Sequence, residues 1–335
     1  METNLIYDMY IPTRVMFGAG MLDKLSEQPM PGRRALIVIS NGKSTRANGY
    51  LARTEAQLHK AGVETVVFDG VMPNPTVGNV NAGAKAARDN GCDFLVALGG
   101  GSVMDCAKAI AVMATNEGEL WDYVPIGSGK GQPIAVKPLP IIAITTTAGT
   151  GSETDSSGVI TKEYTHEKAF VGDASLFPVL SIVDAELMKS VPPAFTAYQG
   201  FDALFHSTEG YIAKGANLMS DMYALEAIRH IAEYLPRAVK DGITEQELAE
   251  AKRGLIEYRA VNRAQDGTLA GSWINFMESG RDWSFSKDME VAIEKLTVKD
   301  VNAAIRRIAD PSKMTFVLAA DLAKAREAGK DFSKQ

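Results

Sequence analysis

Apolar runs alternate with amphipathic stretches through the first half of the chain. Continuous apolar segments at 34–40, 64–68, 94–98, 140–144 and 179–183 are typical of strands that are buried on both faces of a sheet. Between the strands, residues 47–61 and 77–89 carry apolar positions at helical spacing. Strands that alternate with helices predict an α/β fold over residues 1–185, with a parallel sheet and helices on both of its faces.

The second half of the chain has a helical pattern. Pro192 and Pro193 precede it, and apolar residues recur every three or four positions from 218 to 235, where Pro236 predicts the end of a helix. Residues 186–240 are therefore predicted to form a helical domain. Residues 241–335 are predicted to contain a charged helix at 245–265, a capping box at Thr297 and Asp300, a helix to residue 308 and a strand at 314–320.

Composition and charge exclude several classes of protein. The chain has 335 residues, of which 46% are hydrophobic, and a net charge of −6. This acidic balance, without a basic stripe, predicts no nucleic-acid partner and no anionic membrane partner. No apolar run approaches the roughly 20 residues that span a bilayer, and the N-terminus lacks the pattern of a signal peptide. The two cysteines, Cys92 and Cys106, fit a reducing compartment and predict a cytoplasmic location.

Three glycines and a serine follow the strand at 94–98 and lead into a helix, with Asp105 in its predicted first turn. Glycine has no Cβ, so a ligand can approach the backbone, and the N–H groups at a helix N-terminus suit a phosphate. A tight turn without a ligand is the alternative. Cys106 has either a thiol pKa lowered by the helix N-terminus or a buried packing role. A second glycine-containing loop, TTTAGTGSE at 145–153, also follows a predicted strand, and parallel sheets bind ligands at that end.

One helical face carries candidate metal ligands. Asp202, His206 and Glu209 lie on the same side of a predicted helix. A carboxylate and an imidazole one turn apart can bind Fe²⁺ or Zn²⁺, and a hydrogen-bonded Asp–His pair is the alternative. The remaining histidines are predicted to have surface or core roles: His59, His166 and His230.

Six motifs together resemble the iron-containing (group III) alcohol dehydrogenase family over residues 1 to about 240. They are RVMFGAG at 14–20, ALIVISNGKS at 35–44, PNPT at 73–76, GGGSVMDCAKAIA at 99–111, TTTAGTGSE at 145–153 and GFDALFHSTEGY at 200–211. The resemblance implies a dinucleotide-binding α/β domain followed by a helical metal-binding domain. It also implies reversible hydride transfer between a small primary alcohol or aldehyde and NAD or NADP, with a metal ion as Lewis acid.

The resemblance assigns site residues position by position. Those implied to bind the cofactor are Gly99, Gly100, Gly101, Ser102, Thr146, Thr147, Thr150 and Lys168. Asp202 and His206 match the first two metal ligands of the family, and the metal is Fe²⁺ or Zn²⁺. Ser40 and Asn41 stand where some members carry an aspartate that would hydrogen-bond the ribose, so NAD and NADP both stay open.

The chain departs from the family pattern after about residue 240. The family takes two more metal-binding histidines from a later helix, whereas this sequence has none after His230. The metal site is therefore expected to be incomplete and the helical domain truncated. Residues from about 243 resemble the C-terminal end of an insulinase-type (pitrilysin-like) zinc peptidase, in a region without that family's zinc motif. They are expected to form a non-family α+β tail without peptidase activity.

Three functions stay open on this basis. The first is an alcohol dehydrogenase-type oxidoreductase that acts on a small alcohol or aldehyde. The second is an inactive nucleotide-binding remnant, which the missing histidines favour. The third is an interaction protein that uses its tail. A homodimer is among the oligomeric states that the sequence leaves open.

Overall fold

The computed structural model describes residues 6–165, 167–241 and 281–308, and the separate residues 245, 248–249, 252–253, 256, 273 and 276–277. The chain divides into two compact units. The α/β unit consists of Asn4–Val191 and Gln199–Ala227, and the second unit consists of Met1–Thr3, Pro192–Tyr198 and Ile228–Gln335. The predicted boundaries near residues 185 and 240 stay a prediction.

A parallel sheet forms the centre of the α/β unit. The strands among the described residues are β1 (Arg14–Phe17), β2 (Arg34–Ser40), β3 (Glu64–Val71), β4 (Phe94–Gly99), β5 (Ile141–Thr145), β6 (Ser157–Lys162), β7 (Glu167–Gly172) and β8 (Leu180–Val183). Six of them pair in the order β1-β8-β5-β4-β2-β3, and β6 and β7 form a separate antiparallel hairpin.

The α-helices of the described segments 6–165, 167–241 and 281–308 follow in chain order. They are α1 (Ser44–Ala47), α2 (Tyr50–Lys60), α3 (Val77–Asp89), α4 (Gly101–Thr115), α5 (Pro193–Ile212), α6 (Leu218–Asp241), α7 (Trp283–Lys295) and α8 (Val298–Ile308). α3 begins at a capping box, in which Thr76 Oγ1 accepts a hydrogen bond from Asn79 N at 3.4 Å and Thr76 N donates to Asn79 Oδ1 at 3.2 Å.

Buried side chains pack against both faces of the sheet. Successive residues of a strand point to opposite faces. Leu36 and Ala97 accordingly join a cluster with residues of α3 and α4, while Ile37 and Val96 join a cluster with residues of α2. The predicted α/β fold, with helices on both faces of a parallel sheet, is therefore confirmed.

The sheet changes direction between β2 and β4. These two strands pair in parallel, but the chain leaves β2 through α2 to β3 on one side and leaves β4 through α4 to β5 on the other. Ligands of open α/β sheets bind outside the carboxyl ends of the strands at such a switch point. The loops that follow β2 and β4 therefore flank the expected binding crevice.

Several local predictions were wrong. The predicted helix at 47–61 is interrupted at Gly49, whose φ of 73° is left-handed, and it forms α1 and α2. α6 continues past Pro236 to Asp241, so Pro236 does not end the helix as predicted. Asp105 is the fifth residue of α4 and so lies in its second turn rather than its first. The strands β1, β6 and β7 were not predicted.

The predicted capping box at the start of α8 is confirmed. Thr297 N donates a hydrogen bond to Asp300 Oδ2 at 2.9 Å, and Asp300 N donates to Thr297 Oγ1 at 3.2 Å. α8 extends to Ile308, in agreement with the predicted helix, and the residues beyond 308 lie outside the described part of the chain. Most of the predicted helix at 245–265 and all of the predicted strand at 314–320 lie outside the described residues.

Candidate functional site

The loops after β4 and β5 lie against each other at the carboxyl edge of the sheet. Thr146 N donates a hydrogen bond to Gly99 O at 3.0 Å, which joins the two loops at their base. Further out, a Cβ atom at Gly101 would lie 2.8 Å from Thr150 Cγ2. A side chain at position 101 would therefore force the two loops apart.

Gly100 is under the same constraint as Gly101. A Cβ atom at Gly100 would lie 2.9 Å from Thr147 Oγ1. Seven of the eight residues predicted to bind the cofactor lie at the end of β4, at the start of α4 or in the loop after β5, and the structure brings these segments together at the carboxyl edge of the sheet. The eighth, Lys168, comes from the β6–β7 hairpin.

A cleft of about 330 Å³ opens beside the two loops. Its lining residues are Asn74, Pro75, Ser102, Asp105, Thr150, Ser152, Asp155, Ser157, Val159, Lys168, Asp202 and His206. Both predicted metal ligands thus share one cleft with three of the predicted cofactor residues. All of these residues belong to the α/β unit.

α5 reaches the cleft because the loop after β5 has a glycine at its point of closest approach. Gly149 has a φ of 135°, and a Cβ atom there would lie 2.8 Å from Gln199 O and 3.1 Å from Asp202 Oδ2. Ala148 N donates a hydrogen bond to Gln199 Oε1 at 2.9 Å. Only glycine allows the loop to adopt this conformation so close to α5.

Asp202 and His206 face each other across one turn of α5. His206 Nδ1 lies 3.9 Å from Asp202 Oδ2 and 3.3 Å from Gly149 O, and both side chains are about half exposed. The distance of 3.9 Å is too long for the hydrogen-bonded pair that was the alternative prediction. Among the described residues, no third His, Cys, Asp or Glu completes a metal-binding group with them. Glu209 is exposed on α5 and does not line the cleft.

Lys168 enters the cleft from β7 and is held by the PNPT segment. Its Nζ donates a hydrogen bond to Asn74 Oδ1 at 2.8 Å. Asn74 has a φ of 53° and is the one non-glycine residue with positive φ in the described part of the chain. Asparagine tolerates this left-handed conformation better than most residues. A hydrogen bond of 2.8 Å from Thr161 N to Pro75 O joins the same segment to the hairpin.

The sequence analysis did not predict one residue that supports the cleft, a buried lysine. Lys108 is fully buried in α4. Its Nζ donates to Ser152 O at 2.7 Å, to Ser152 Oγ at 3.0 Å and to Ser157 O at 2.8 Å, and it forms an ion pair with Asp155. The one sequence feature that could have indicated its role is its position, because a lysine in an otherwise apolar helical segment needs partners for its charge when it is buried.

Two carboxyl groups near Lys108 have shifted pKa values. Burial raises the pKa of Asp105, although hydrogen bonds from Ser152 Oγ at 2.7 Å and Val159 N at 3.1 Å act in the opposite direction. Burial also raises the pKa of Glu153, against a backbone hydrogen bond and the positive charge of Lys108. Both groups are therefore harder to ionise than an ordinary surface carboxyl.

Burial raises the pKa of Cys106 to about 12. Of its two predicted roles, buried packing is confirmed and the lowered pKa is wrong. His59 and His230 are exposed, in agreement with their prediction, and His166 lies outside the described residues. No helix in the described part of the chain is both long enough and apolar enough to cross a membrane.

Comparison with protein families gives two adjacent matches. The model of "Iron-containing alcohol dehydrogenase" matches residues 12–185, and the model of "Fe-containing alcohol dehydrogenase family, C-terminal" matches residues 196–252. The second match includes the first ten residues of the stretch from 243 that was predicted to resemble a peptidase. That part of the boundary prediction is corrected, and the comparisons give no support for the peptidase resemblance.

Three similar proteins illustrate the extent of the match. Alcohol dehydrogenase 4 of Schizosaccharomyces pombe is 40% identical over 71% of this chain and 55% of its own length. The 1,3-propanediol dehydrogenase of Klebsiella pneumoniae is 38% identical over 78% of this chain and 67% of its own length. The structure of NADH-dependent butanol dehydrogenase A from Thermotoga maritima matches with a TM-score of 0.65 and 32% identity, over 71% of this chain and 59% of that one. The chain thus spans a little over half to two thirds of these relatives.

Proposed function

The chain belongs to the iron-containing alcohol dehydrogenase family, and on this premise we propose that it is an oxidoreductase of the alcohol dehydrogenase type. Its substrate is a small primary alcohol or aldehyde, and its cofactor is NAD or NADP. The observation that carries the proposal is the shared cleft. Ser102, Thr150 and Lys168 from the predicted cofactor set line the same cleft as Asp202 and His206.

The residues of the two loops fit a dinucleotide. Gly99, Gly100, Gly101 and Ser102 would hold the pyrophosphate at the N-terminus of α4, where backbone N–H groups favour negative charge. Thr146, Thr147 and Thr150 would lie beside the nicotinamide, and Lys168 would add a positive charge fixed by Asn74. When bound, the nicotinamide supplies the hydride chemistry. The chain would orient the cofactor through the two loops, which pack closely against each other at Gly100 and Gly101.

The described residues do not fit a tightly held metal ion. Asp202 and His206 are donors of the right chemical type, but catalytic zinc sites use three protein ligands and structural sites use four. No third ligand joins them among the described residues, and Fe²⁺ binds weakly in the general affinity order. We therefore assign no catalytic step to a metal ion in this chain.

The presence of only two metal donors among the described residues, Asp202 and His206, favours a second candidate function. A protein with intact dinucleotide loops and an incomplete metal site would bind NAD or NADP without turnover. Both functions depend on the loops after β4 and β5, and they differ only in whether a carbonyl or alcohol reacts in the cleft.

The predictions about cellular location, binding partners and oligomeric state stay proposals. They are a cytoplasmic location, the absence of nucleic-acid and membrane partners, and self-association into a homodimer. Phe205 on α5 and Met222 and Tyr223 on α6 are each more than half exposed. The peptidase resemblance of the tail also stays a prediction, and we propose no peptidase activity and no interaction function for it.

Anaerobic assay of the full chain tests these proposals. The purified protein is mixed with NADH or NADPH and a series of short primary aldehydes, with and without added Fe²⁺ or Zn²⁺, and oxidation of the cofactor is followed by absorbance. Aldehyde-dependent oxidation is the expected result for the oxidoreductase. Saturable cofactor binding without oxidation would support the second candidate instead, and a lack of any cofactor binding would contradict both.

A further inference from the structure

Gln199 of α5 contacts the tip of the loop after β5, which comprises residues 147–151. We propose that Gln199 is a positioning residue for the dinucleotide site, because its side-chain oxygen holds this tip in the conformation that the site requires. The inference rests on the proposed function and assigns Gln199 no contact with substrate or cofactor. It follows from the composition of the tip, from the hydrogen bonds that hold it and from the position of its two threonines.

The tip has two glycines in conformations that other residues rarely adopt. Gly149 has a φ of 135° and Gly151 has a φ of 68°, and Thr150 lies between them. Glycine has more backbone freedom than any other residue, so a segment with two glycines loses much conformational entropy when it takes up a single conformation. A fixed tip therefore needs contacts from outside the loop that offset this loss.

α5 supplies such contacts through Gln199 and His206. Ala148 N donates a hydrogen bond to Gln199 Oε1 at 2.9 Å, which is an ordinary length for an N–H···O bond. His206 Nδ1 lies 3.3 Å from Gly149 O, which is longer than such bonds usually are. The backbone of Gln199 also contacts the tip, since a Cβ atom at Gly149 would lie 2.8 Å from Gln199 O. Of the two side chains, Gln199 therefore makes the stronger contact.

The conformation of the tip sets the positions of Thr147 and Thr150. A Cβ atom at Gly100 would lie 2.9 Å from Thr147 Oγ1, and a Cβ atom at Gly101 would lie 2.8 Å from Thr150 Cγ2. Both threonines thus lie directly against the glycines at the start of α4, where the pyrophosphate is proposed to bind. A shift of the tip would move both threonines relative to these glycines and change the shape of the proposed cofactor site.

Titration of the full chain with NADH and NADPH tests the inference. Gln199→Met removes the acceptor oxygen and keeps a side chain of similar length. It should weaken binding of the tighter dinucleotide roughly threefold to tenfold, the loss expected for one hydrogen bond. Hydrogen exchange at Ala148 N, followed without cofactor, should become roughly threefold or more faster in this variant. Gln199→Glu keeps an acceptor oxygen at the same reach and should retain the slow exchange at neutral pH.

Gln57→Met is the matched control. Gln57 Oε1 accepts a hydrogen bond from Ser26 N at 3.3 Å, so the substitution removes the same kind of bond, but Gln57 lies in the last turn of α2 and outside the cofactor loops. Dinucleotide affinity and exchange at Ala148 N should stay unchanged in this control.

Four results would each overturn the inference and leave the proposed function standing. They are unchanged affinity in the folded Gln199→Met variant, an equal loss of affinity in Gln57→Met, unchanged exchange at Ala148 N in Gln199→Met, and fast exchange there in Gln199→Glu. If the wild-type chain binds neither dinucleotide, the proposed function is wrong, and the inference that rests on it is wrong as well.

Discussion

Lys108 connects α4 to the segment that forms the floor of the cleft. Its ammonium group contacts oxygen atoms of Ser152, Asp155 and Ser157, all of them in or beside the start of β6. A lysine is rarely buried unless it is paired, because the transfer of its charge out of water is costly. The side chain therefore fixes the position of a segment that lines the site.

Substitution of Lys108 by methionine should lower the free energy of unfolding by about 2–4 kcal/mol. The change leaves carbonyl oxygens and one carboxylate without their donor, and the loss is smaller than for a fully buried ion pair because Asp155 is half exposed. Urea denaturation measures it. Lys60→Met, at an exposed position, should cost less than about 0.5 kcal/mol. Equal stability of the two variants would contradict this role of Lys108.

Asp105 should make the protein less stable as the pH rises. Burial raises its pKa in the folded state above the ordinary value of 3.8. Between these two pKa values the folded state binds more protons than the unfolded state, so stability is greatest below the unfolded pKa and is lost as the pH rises through the folded pKa. Asp105→Asn removes this titration and keeps a side chain of similar shape.

Urea denaturation of wild type and Asp105→Asn at several pH values from 4 to 7 measures the effect. The variant should gain stability relative to wild type as the pH increases. Glu153 shifts in the same direction, but it is present in both proteins and cancels in the comparison. If the difference in free energy of unfolding between variant and wild type is constant with pH, or decreases as the pH rises, burial does not disfavour the ionised form of Asp105.

The contact between the loops after β4 and β5 is the element on which cofactor binding depends. Gly101→Ala would place a methyl group 2.8 Å from Thr150 Cγ2, and we expect it to weaken dinucleotide binding roughly tenfold or more, which corresponds to about 1.4 kcal/mol. Calorimetric titration with NADPH measures this loss. The substituted helix should otherwise fold, because alanine is a better helix former than glycine.

Gly210→Ala provides the matched control for Gly101→Ala. Gly210 lies within α5, and no atom lies within 4 Å of the position that its Cβ would take. Its substitution should stabilise the helix by about 0.5–1 kcal/mol and leave binding unchanged. Equal affinity of the Gly101→Ala variant and the control would show that the loop contact does not shape the cofactor site.

The elements differed in how well the sequence predicted them. The bounds of the buried strands β2, β4, β5 and β8 were predicted to within one residue, because burial on both faces leaves a continuous apolar run. The hairpin of β6 and β7 was missed because charged residues such as Lys162 and Glu167 lie on its strands next to the turn. Its charged turn therefore has the composition of a loop.

Much of the site could be predicted from local motifs, and the rest depended on tertiary contacts. The glycine loop, the threonine loop and the Asp202–His206 pair are short segments whose residue types indicate their chemistry. Lys108 and its partners are separated by more than 40 residues, and no local pattern connects them. The close approach of Gly149 to α5 likewise depends on a contact between distant parts of the chain.

At the scale of the whole molecule, the number of metal ions bound per chain tests whether Asp202 and His206 form a metal site by themselves. After anaerobic loading with Fe²⁺ or Zn²⁺ and removal of excess ion, the full chain should retain well under one ion per chain, because sites with fewer than three protein ligands hold these ions weakly. Elemental analysis gives the content. Retention of nearly one ion, lost on His206→Ala, would contradict this expectation and indicate a third ligand outside the described residues.

The central claim is that the loops after β4 and β5 bind a nicotinamide dinucleotide, and calorimetric titration of the full chain with NADPH and NADH tests it most directly. We predict saturable binding of one dinucleotide per chain, with a dissociation constant roughly in the micromolar range. The binding should be retained in Gly210→Ala and weakened in Gly101→Ala. A folded chain that binds neither dinucleotide at millimolar concentration would contradict the account.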